Sequence, residues 1–299
     1  MKSLSQIIDL VKTKEKKVIA VAYAQDAHTL EAVSAAVDLG IVNAILIGDR
    51  HEIQQTADRC GIDLTHFTIQ EEKTDVACVD LAVSLVKSGK ADILMKGLVS
   101  TDKYMRGILN KERGLVPPRA TLSHVVVLEI PAYHKLLIIS DVAILPQPDL
   151  KQKIQLVGYV SQVARSLGIE TPKVALVTPT EQVLPSVESS IDAAIISQMW
   201  RRGQISGAIV DGPLALDVAI DKETVDIKKL ESPVDGDADC LVFPSLEAAN
   251  VFFKSATKLM GAELAAMVVG ASAPCVLTSR GDSQQSKLYS IALAALSAR

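Results

Sequence analysis

The residues best placed to do chemistry fall in two short segments. Leu277-Thr278-Ser279-Arg280-Gly281-Asp282-Ser283-Gln284-Gln285 follows an apolar run and precedes a helical pattern, so it reads as a strand turning into a helix. Such a turn aims backbone amides and the positive helix end at one spot, which suits an anion. Asp282 with Gln285 three residues on fits a capping box, and Gly281 lets a ligand approach the backbone. Arg280 can grip a phosphate or acyl phosphate through two parallel donors. A capped helix beside a surface arginine is the plainer account of the same residues. The second segment runs from Met95 to Arg106, again from a strand end into a helix. There Gly97 supplies freedom, Ser100 or Thr101 a cap, and Lys96 and Arg106 positive charge. Its plainer account is a solvated basic helix.

Other candidates are more ambiguous. Asp141, after Ile138-Ile139-Ser140, and Asp211, in Val210-Asp211-Gly212-Pro213, are acids at strand ends, where open α/β sheets hold ligands. Both also serve as caps or turn formers. Asn250 and Lys254 share one helix face after Pro244-Ser245. His124, beside Val125-Val126-Val127, reads as a structural group rather than a base. No G-x-G-x-x-G follows the first strand, and no G-x-x-x-x-G-K-S/T loop is present, which disfavours dinucleotide and ordinary kinase or ATPase readings. Gly270-Ala271-Ser272-Ala273-Pro274 ends in proline and precedes a strand, so it is no nucleophile elbow. No motif calls for a metal.

These turns need a scaffold that presents strand ends. Runs such as Val18–Ala22, Ala44–Ile47 and Asp92–Met95 alternate with amphipathic stretches such as 29–38 and 75–87, and the former are apolar throughout. That is the signature of α/β layers with parallel sheets covered on both faces. A second series follows Leu136–Ile139, with strand candidates at 173–177, 205–210, 239–243 and 274–278 and a last helix from Ser283 to about Ser297. The chain has 299 residues, enough for two domains, and Pro146 and Pro148 mark a break near the middle. Apolar residues make up 48% against 3% aromatic, so the core is aliphatic and offers few platforms for stacked bases. A net charge of -4 further argues against a nucleic-acid clamp. The four cysteines form no C-x-x-C pair, which disfavours a disulfide scaffold or structural zinc. No secretory or membrane-spanning stretch is evident, so the expectation is a cytoplasmic protein.

Ser279-Arg280-Gly281, read with Asp211-Gly212-Pro213, the stretch from Leu241 to Asn250, and Lys254, resembles the phosphate acetyl/butyryltransferase family in motif order. Lys96–Thr101, Leu122–Val125 and Glu129-Ile130-Pro131 look more like the butyryl-specific members. The resemblance spans nearly the whole chain. It implies two α/β domains with mainly parallel sheets and an interdomain cleft, like that of isocitrate and isopropylmalate dehydrogenases. The first domain would comprise 1–139 and a returning C-terminal helix, 284–299; the second would comprise 140–283. It also implies reversible transfer of a butyryl or acetyl group between CoA and phosphate, with CoA as substrate, no tightly bound cofactor or metal, and a homo-oligomeric enzyme. Ser279, Arg280 and Asp282 would be catalytic. Arg106, Lys96, Ser100, Thr101, Asn250 and Lys254 would bind phosphate or CoA. Acetyl-specific members carry an aspartate six residues after the motif arginine, where this chain has Ser286, so the base is left open between Asp282 and a water it holds. Two rival readings share the architecture: a metal- and NAD-dependent hydroxyacid dehydrogenase, and a catalytically silent CoA- or phosphate-binding protein.

Overall fold

The computed structural model describes residues 1–278 and 281–298. The chain divides into a terminal unit, Leu4–Leu122 with Leu264–Arg299, and a central unit, Met1–Ser3 with Ser123–Glu263. The terminal unit begins α1 (Ser5–Val11), β1 (Lys17–Ala22), α2 (Ala27–Asp38), β2 (Val42–Gly48), α3 (Arg50–Cys60), β3 (Thr68–Glu71), α4 (Asp75–Lys87), β4 (Ile93–Lys96) and α5 (Thr101–Leu109). The central unit contributes β5 (Ser123–Glu129), β6 (Leu137–Ser140), α6 (Leu150–Ser166), β7 (Lys173–Val177), α7 (Glu188–Arg201), β8 (Ile209–Leu214), α8 (Leu216–Ile220), α9 (Lys222–Lys228), β9 (Cys240–Val242) and α10 (Leu246–Leu259). The chain then completes the terminal unit with β10 (Glu263–Val269), β11 (Cys275–Val276) and α11 (Gln284–Ser297).

Strands of the terminal unit lie in the order β3-β2-β1-β4-β11-β10. All pair in parallel except the β10–β11 hairpin. In the central unit the order is β5-β6-β9-β7-β8, antiparallel only between β5 and β6. Both units are therefore α/β, as the uninterrupted apolar strands require. The sequence placed the junctions near 139 and 283, whereas the compact units exchange at 122/123 and 263/264. Strand pairing explains the difference: β6 is tied to β5, and β11 to β4.

Local chemistry sets the element ends. Asp26 caps α2, and Gly40 with φ +74° closes it in the left-handed conformation that glycine adopts without penalty. Helix α6 opens on a full capping box, Asp149 with Gln152. Helix α11 buries ten consecutive residues, Ser286 to Ala295, because its small aliphatic side chains run around the whole helix. It packs on α1 and α2.

Candidate functional site

In the terminal unit the strand order reverses direction between β1 and β4: β2 and β3 lie on one side of β1, and β4, β11 and β10 on the other. Chains leaving the carboxyl ends of two such neighbours diverge and open a crevice between them.

Lys96 is the last residue of β4 and only 7% exposed. Its Nζ donates to the carbonyls of Gly97 at 3.1 Å and Val99 at 2.9 Å, which curls the exit of β4 around the ammonium. Gly97 is held against the exit of β1, where its amide and that of Leu98 donate to the carbonyls of Ala22 and Tyr23, both at 2.9 Å. Approach this close requires glycine: a Cβ at position 97 would sit 2.4 Å from the Tyr23 carbonyl oxygen. From β1 the chain turns through Tyr23, at φ +60°, into Asp26. Asp26 Oδ1 accepts from the amide of Thr29 at 2.9 Å, while its Oδ2 is buried with no hydrogen-bond partner among the described residues. Lys287, in the first turn of α11, is 4% exposed, and its Nζ donates to the backbone carbonyl of Asp282 at 2.9 Å.

Asp26, His28 and Thr29 from α2, Lys96, Gly97 and Leu98 from the β4 exit, and Thr278 and Lys287 from the approach to α11 bound a cavity of about 320 Å³. Two buried ammonium groups on one cavity favour an anion, since burying a charge is costly unless an opposite charge or several acceptors meet it. A lysine in the first turn of α11 also opposes that helix's dipole, so the positive field here is stronger than the helix end alone would create.

The other sequence candidates are dispersed. Ser279 and Arg280 lie outside the described residues. Asp282 does not form the expected capping box with Gln285. Ser283 is the cap instead, its Oγ accepting from the amide of Ser286 at 3.0 Å, and the Asp282 carbonyl holds Lys287. Both Asp and Ser are good caps, and the one that reaches the third amide takes the role. Ser286 is buried; its amide donates to Ser283 Oγ, and its own hydroxyl oxygen accepts from Ser283 Oγ at 3.0 Å. Ser100 caps α5 through the amide of Lys103, and Thr101 is exposed beside it. Arg106 does not join Lys96 at the cavity: its side chain is 78% exposed and pairs with Asp102 one helical turn earlier.

In the central unit, Asn250 Nδ2 donates to the carbonyl of Val142 at 3.1 Å, and exposed Lys254 lies over the Phe253 ring. Asp141 accepts from three amides, those of His124, Ala143 and Ile144, which makes it a loop organiser rather than a ligand group. Asp211 accepts from the Ser232 hydroxyl at 2.6 Å. Sequence reasoning missed Asp26 and Lys287. Their signals were available: an Asp with a threonine three residues later, shortly after β1, and a lysine in the first turn of the last helix, just ahead of its apolar stretch.

Comparison with known proteins agrees with this architecture. The family model described as "Phosphate acetyl/butaryl transferase" matches residues 3–84 and 74–295. Phosphate butyryltransferase of Clostridium acetobutylicum is 46% identical over 296 residues, covering 99% of this chain and 98% of that one. Phosphate acetyltransferase of Thermotoga maritima is 40% identical over 293 residues, covering 98% and 99%. The crystal structure of a branched-chain phosphotransacylase from Enterococcus faecalis superposes with a TM-score of 0.82 at 30% identity, over 94% of this chain and 98% of that one. The chain belongs to the phosphate acetyl/butyryl transferase family of acyltransferases.

Proposed function

We propose that this acyltransferase moves a butyryl or acetyl group reversibly between CoA and inorganic phosphate, and that the cavity of the terminal unit receives the phosphate end. In a ternary complex the CoA thiolate attacks the acyl phosphate carbonyl carbon. The C–S bond forms, the C–O bond to phosphorus breaks, and phosphate leaves with that electron pair. The observation that carries this reading is the pair of buried ammonium groups, Lys96 and Lys287, on one cavity with Thr278, the residue just before Ser279-Arg280.

On this reading Ser279 and Arg280 stabilise the oxyanion and bind the phosphoryl group, where the loss of one such donor costs about 3–4 kcal/mol of barrier. Asp282, or a water held by it, assists the thiol, whose pKa near ~8.5 needs only modest help at neutral pH. Ser100, Thr101 and Arg106 of the terminal unit are read as binding phosphate or CoA, and so are Asn250 and Lys254 of the central unit. The enzyme carries no tightly bound cofactor, consistent with the chemistry of the substrates. Among the described residues no helix is long and apolar enough to cross a membrane. A cytoplasmic homo-oligomer is the form expected from the family resemblance.

The test follows CoA release from butyryl-CoA, acetyl-CoA and longer or branched acyl-CoAs, with and without phosphate. Phosphate-dependent release, with Lys287→Met and Arg280→Ala each raising the phosphate KM at least tenfold, is the expected result. Absence of phosphate-dependent release with every short acyl-CoA refutes the activity. Unchanged phosphate kinetics in Lys287→Met moves the phosphate out of this cavity.

A further inference from the structure

A phosphate ion has no use for hydrocarbon, yet the cavity of the terminal unit presents some. Leu98 is the one aliphatic side chain among the described residues that bound it; the others are polar, charged or glycine. Leu98 is 43% exposed, while Val99 beside it and Ile93 to Met95 of β4 are buried. Its backbone cannot retreat. The Leu98 amide donates to the Tyr23 carbonyl at 2.9 Å, and Gly97 before it lies so close to the β1 exit that no side chain fits there. A leucine held in this way keeps apolar surface against water, and an apolar group that displaces that water is favoured. Scattered exposed leucines are ordinary on a protein surface. This one differs in its place, on a cavity wall two residues after a buried lysine. Ligand sites commonly join an apolar surface to a few charged groups.

The substrate supplies the matching group. In an acyl phosphate the carbonyl carbon is bonded directly to a phosphate oxygen, so the acyl chain starts one bond from the phosphoryl end. With that end on Lys96 and Lys287, a short chain stays within a cavity of about 320 Å³. We infer that Leu98 is a specificity-determining residue that packs against the acyl chain and selects butyryl over acetyl. This rests on the proposed seat of phosphate in the Lys96 and Lys287 cavity and adds which acyl group the site takes. The methyl of an acetyl group leaves the leucine wet, and two more methylenes cover it. Each methylene moved out of water is worth about fourfold in binding, so two separate butyryl from acetyl by about 15-fold. The chain stays in place while its carbonyl carbon passes between oxygen and sulfur. The contact therefore serves both directions of the reaction.

The experiment uses the full chain as wild type, Leu98→Ala and Leu98→Phe. The side chain is half-exposed, so neither change hollows or crowds the core. Phosphate-dependent CoA release is followed with acetyl-, propionyl-, butyryl-, pentanoyl- and hexanoyl-CoA, and kcat/KM is compared along the series. Wild type is expected to favour butyryl over acetyl by about 15-fold. Leu98→Ala removes hydrocarbon and makes room, so that ratio should fall to about fourfold or less and the best chain should lengthen. Leu98→Phe fills the room, and the best chain should shorten to propionyl or acetyl. General damage to the site lowers every chain alike and does not produce opposite shifts from the two substitutions. Wild type favouring acetyl overturns the inference. So does a butyryl-to-acetyl ratio unchanged in a folded variant, and the wild-type series decides even if one variant melts. Absence of phosphate-dependent release with every acyl-CoA defeats the activity reading and this inference with it. Release with equal kcat/KM along the wild-type series leaves the activity standing and defeats the role of Leu98 alone.

Discussion

Alanine at position 97 is the sharpest structural test of the site, because the atoms it would strike cannot move independently. Its methyl carbon would lie 2.4 Å from the carbonyl oxygen of Tyr23 and 2.7 Å from that of Ala22. Ordinary contact begins at 3.4 Å, so the exits of β1 and β4 must part by about 1 Å. The same two carbonyls accept from the amides of Gly97 and Leu98 at 2.9 Å, and that displacement takes both bonds out of range. Two backbone hydrogen bonds contribute about 1 kcal/mol each, and forcing a methyl into filled space costs a further ~1–3 kcal/mol. The stiffer unfolded chain of the alanine variant returns only ~0.4–1 kcal/mol. A net loss of about 3 kcal/mol follows, or a fall in Tm of about 6–12 °C for a unit of this size. Calorimetric melts of Gly97→Ala against wild type measure it, and the phosphate KM should rise in parallel because Lys96 and Asp26 leave these two exits. Gly158→Ala is the control: in α6 its Cβ would meet nothing within 4 Å, and the change should stabilise by about 0.5–1 kcal/mol. A Gly97→Ala melt within about 2 °C of wild type would show that the β1 and β4 exits yield easily, and the argument for a rigid site would be lost.

Three further outcomes follow from the same physical reasoning. In the central unit Lys153 Nζ meets Asp192 Oδ2 at 2.6 Å, with side chains 9% and 11% exposed; Lys153→Met should cost about 3–5 kcal/mol in urea melts, and adding Asp192→Leu should recover most of it. A double variant no more stable than the single one contradicts the assignment of that cost to a stranded carboxylate. Burial pushes the Cys78 thiol up to about 11 and that of Cys275 up to about 12, and burial likewise raises that of Cys240, so in native protein at pH 8 a disulfide reagent should modify Cys60 first and the others only after unfolding. Burial raises the Asp237 pKa, but hydrogen bonds and charge from Lys135 and Lys173 together outweigh it and hold the carboxyl below its usual range. Its folded value lies under its unfolded one, so its stabilisation is complete above about pH 4 and lost as pH falls further; the stability gap between wild type and Asp237→Asn should close on acidification below that point, and a gap independent of pH would refute the pairing.

Legibility in the sequence varied with how local the determining physics was. The strand Lys173–Val177 and the helix Asp75–Lys87 stand where period and caps put them, since Thr74 and Gly89 bracket the helix from its own neighbourhood. The strand expected at 205–210 begins instead at Ile209, because Gly207 at φ +74° sits under the Arg165 guanidinium and leaves the extended conformation. It also continues to Leu214 through Pro213, a residue that marks a strand end in a purely local reading. Lys96 and Gly97 were visible as a cationic turn, but their neighbours were not. Asp26 and Lys287 come from opposite ends of the chain and meet only because α11 packs on α2. No spacing rule carries information about that encounter. Arg106 illustrates the converse: its charge suited the site, yet its place one turn after Asp102 on an exposed helix face gave it a nearer partner.

The chemistry of this cavity rests on strand ends rather than on long loops, and the core explains how they stay in place. Lys96 belongs to β4, which is hydrogen-bonded to β1 on one side and β11 on the other. The fully buried Tyr104 of α5 brings its hydroxyl to 3.2 Å from the Leu94 carbonyl and 3.1 Å from that of Val276. One side chain thus ties together the strand that ends in Lys96 and the strand that leads to Thr278. From the other side, α11 presents Lys287 from a helix whose next eight residues are buried among small aliphatic neighbours. Small side chains in close-packed helices leave few rotamers to sample, so an aliphatic core poor in aromatic rings still positions charges rigidly. Rigid placement is what selectivity by hydrogen-bond chemistry demands. Asp26 at the cavity wall is held the same way, its Oδ1 accepting from the amide of Thr29 at 2.9 Å, which keeps it from swinging out to solvent.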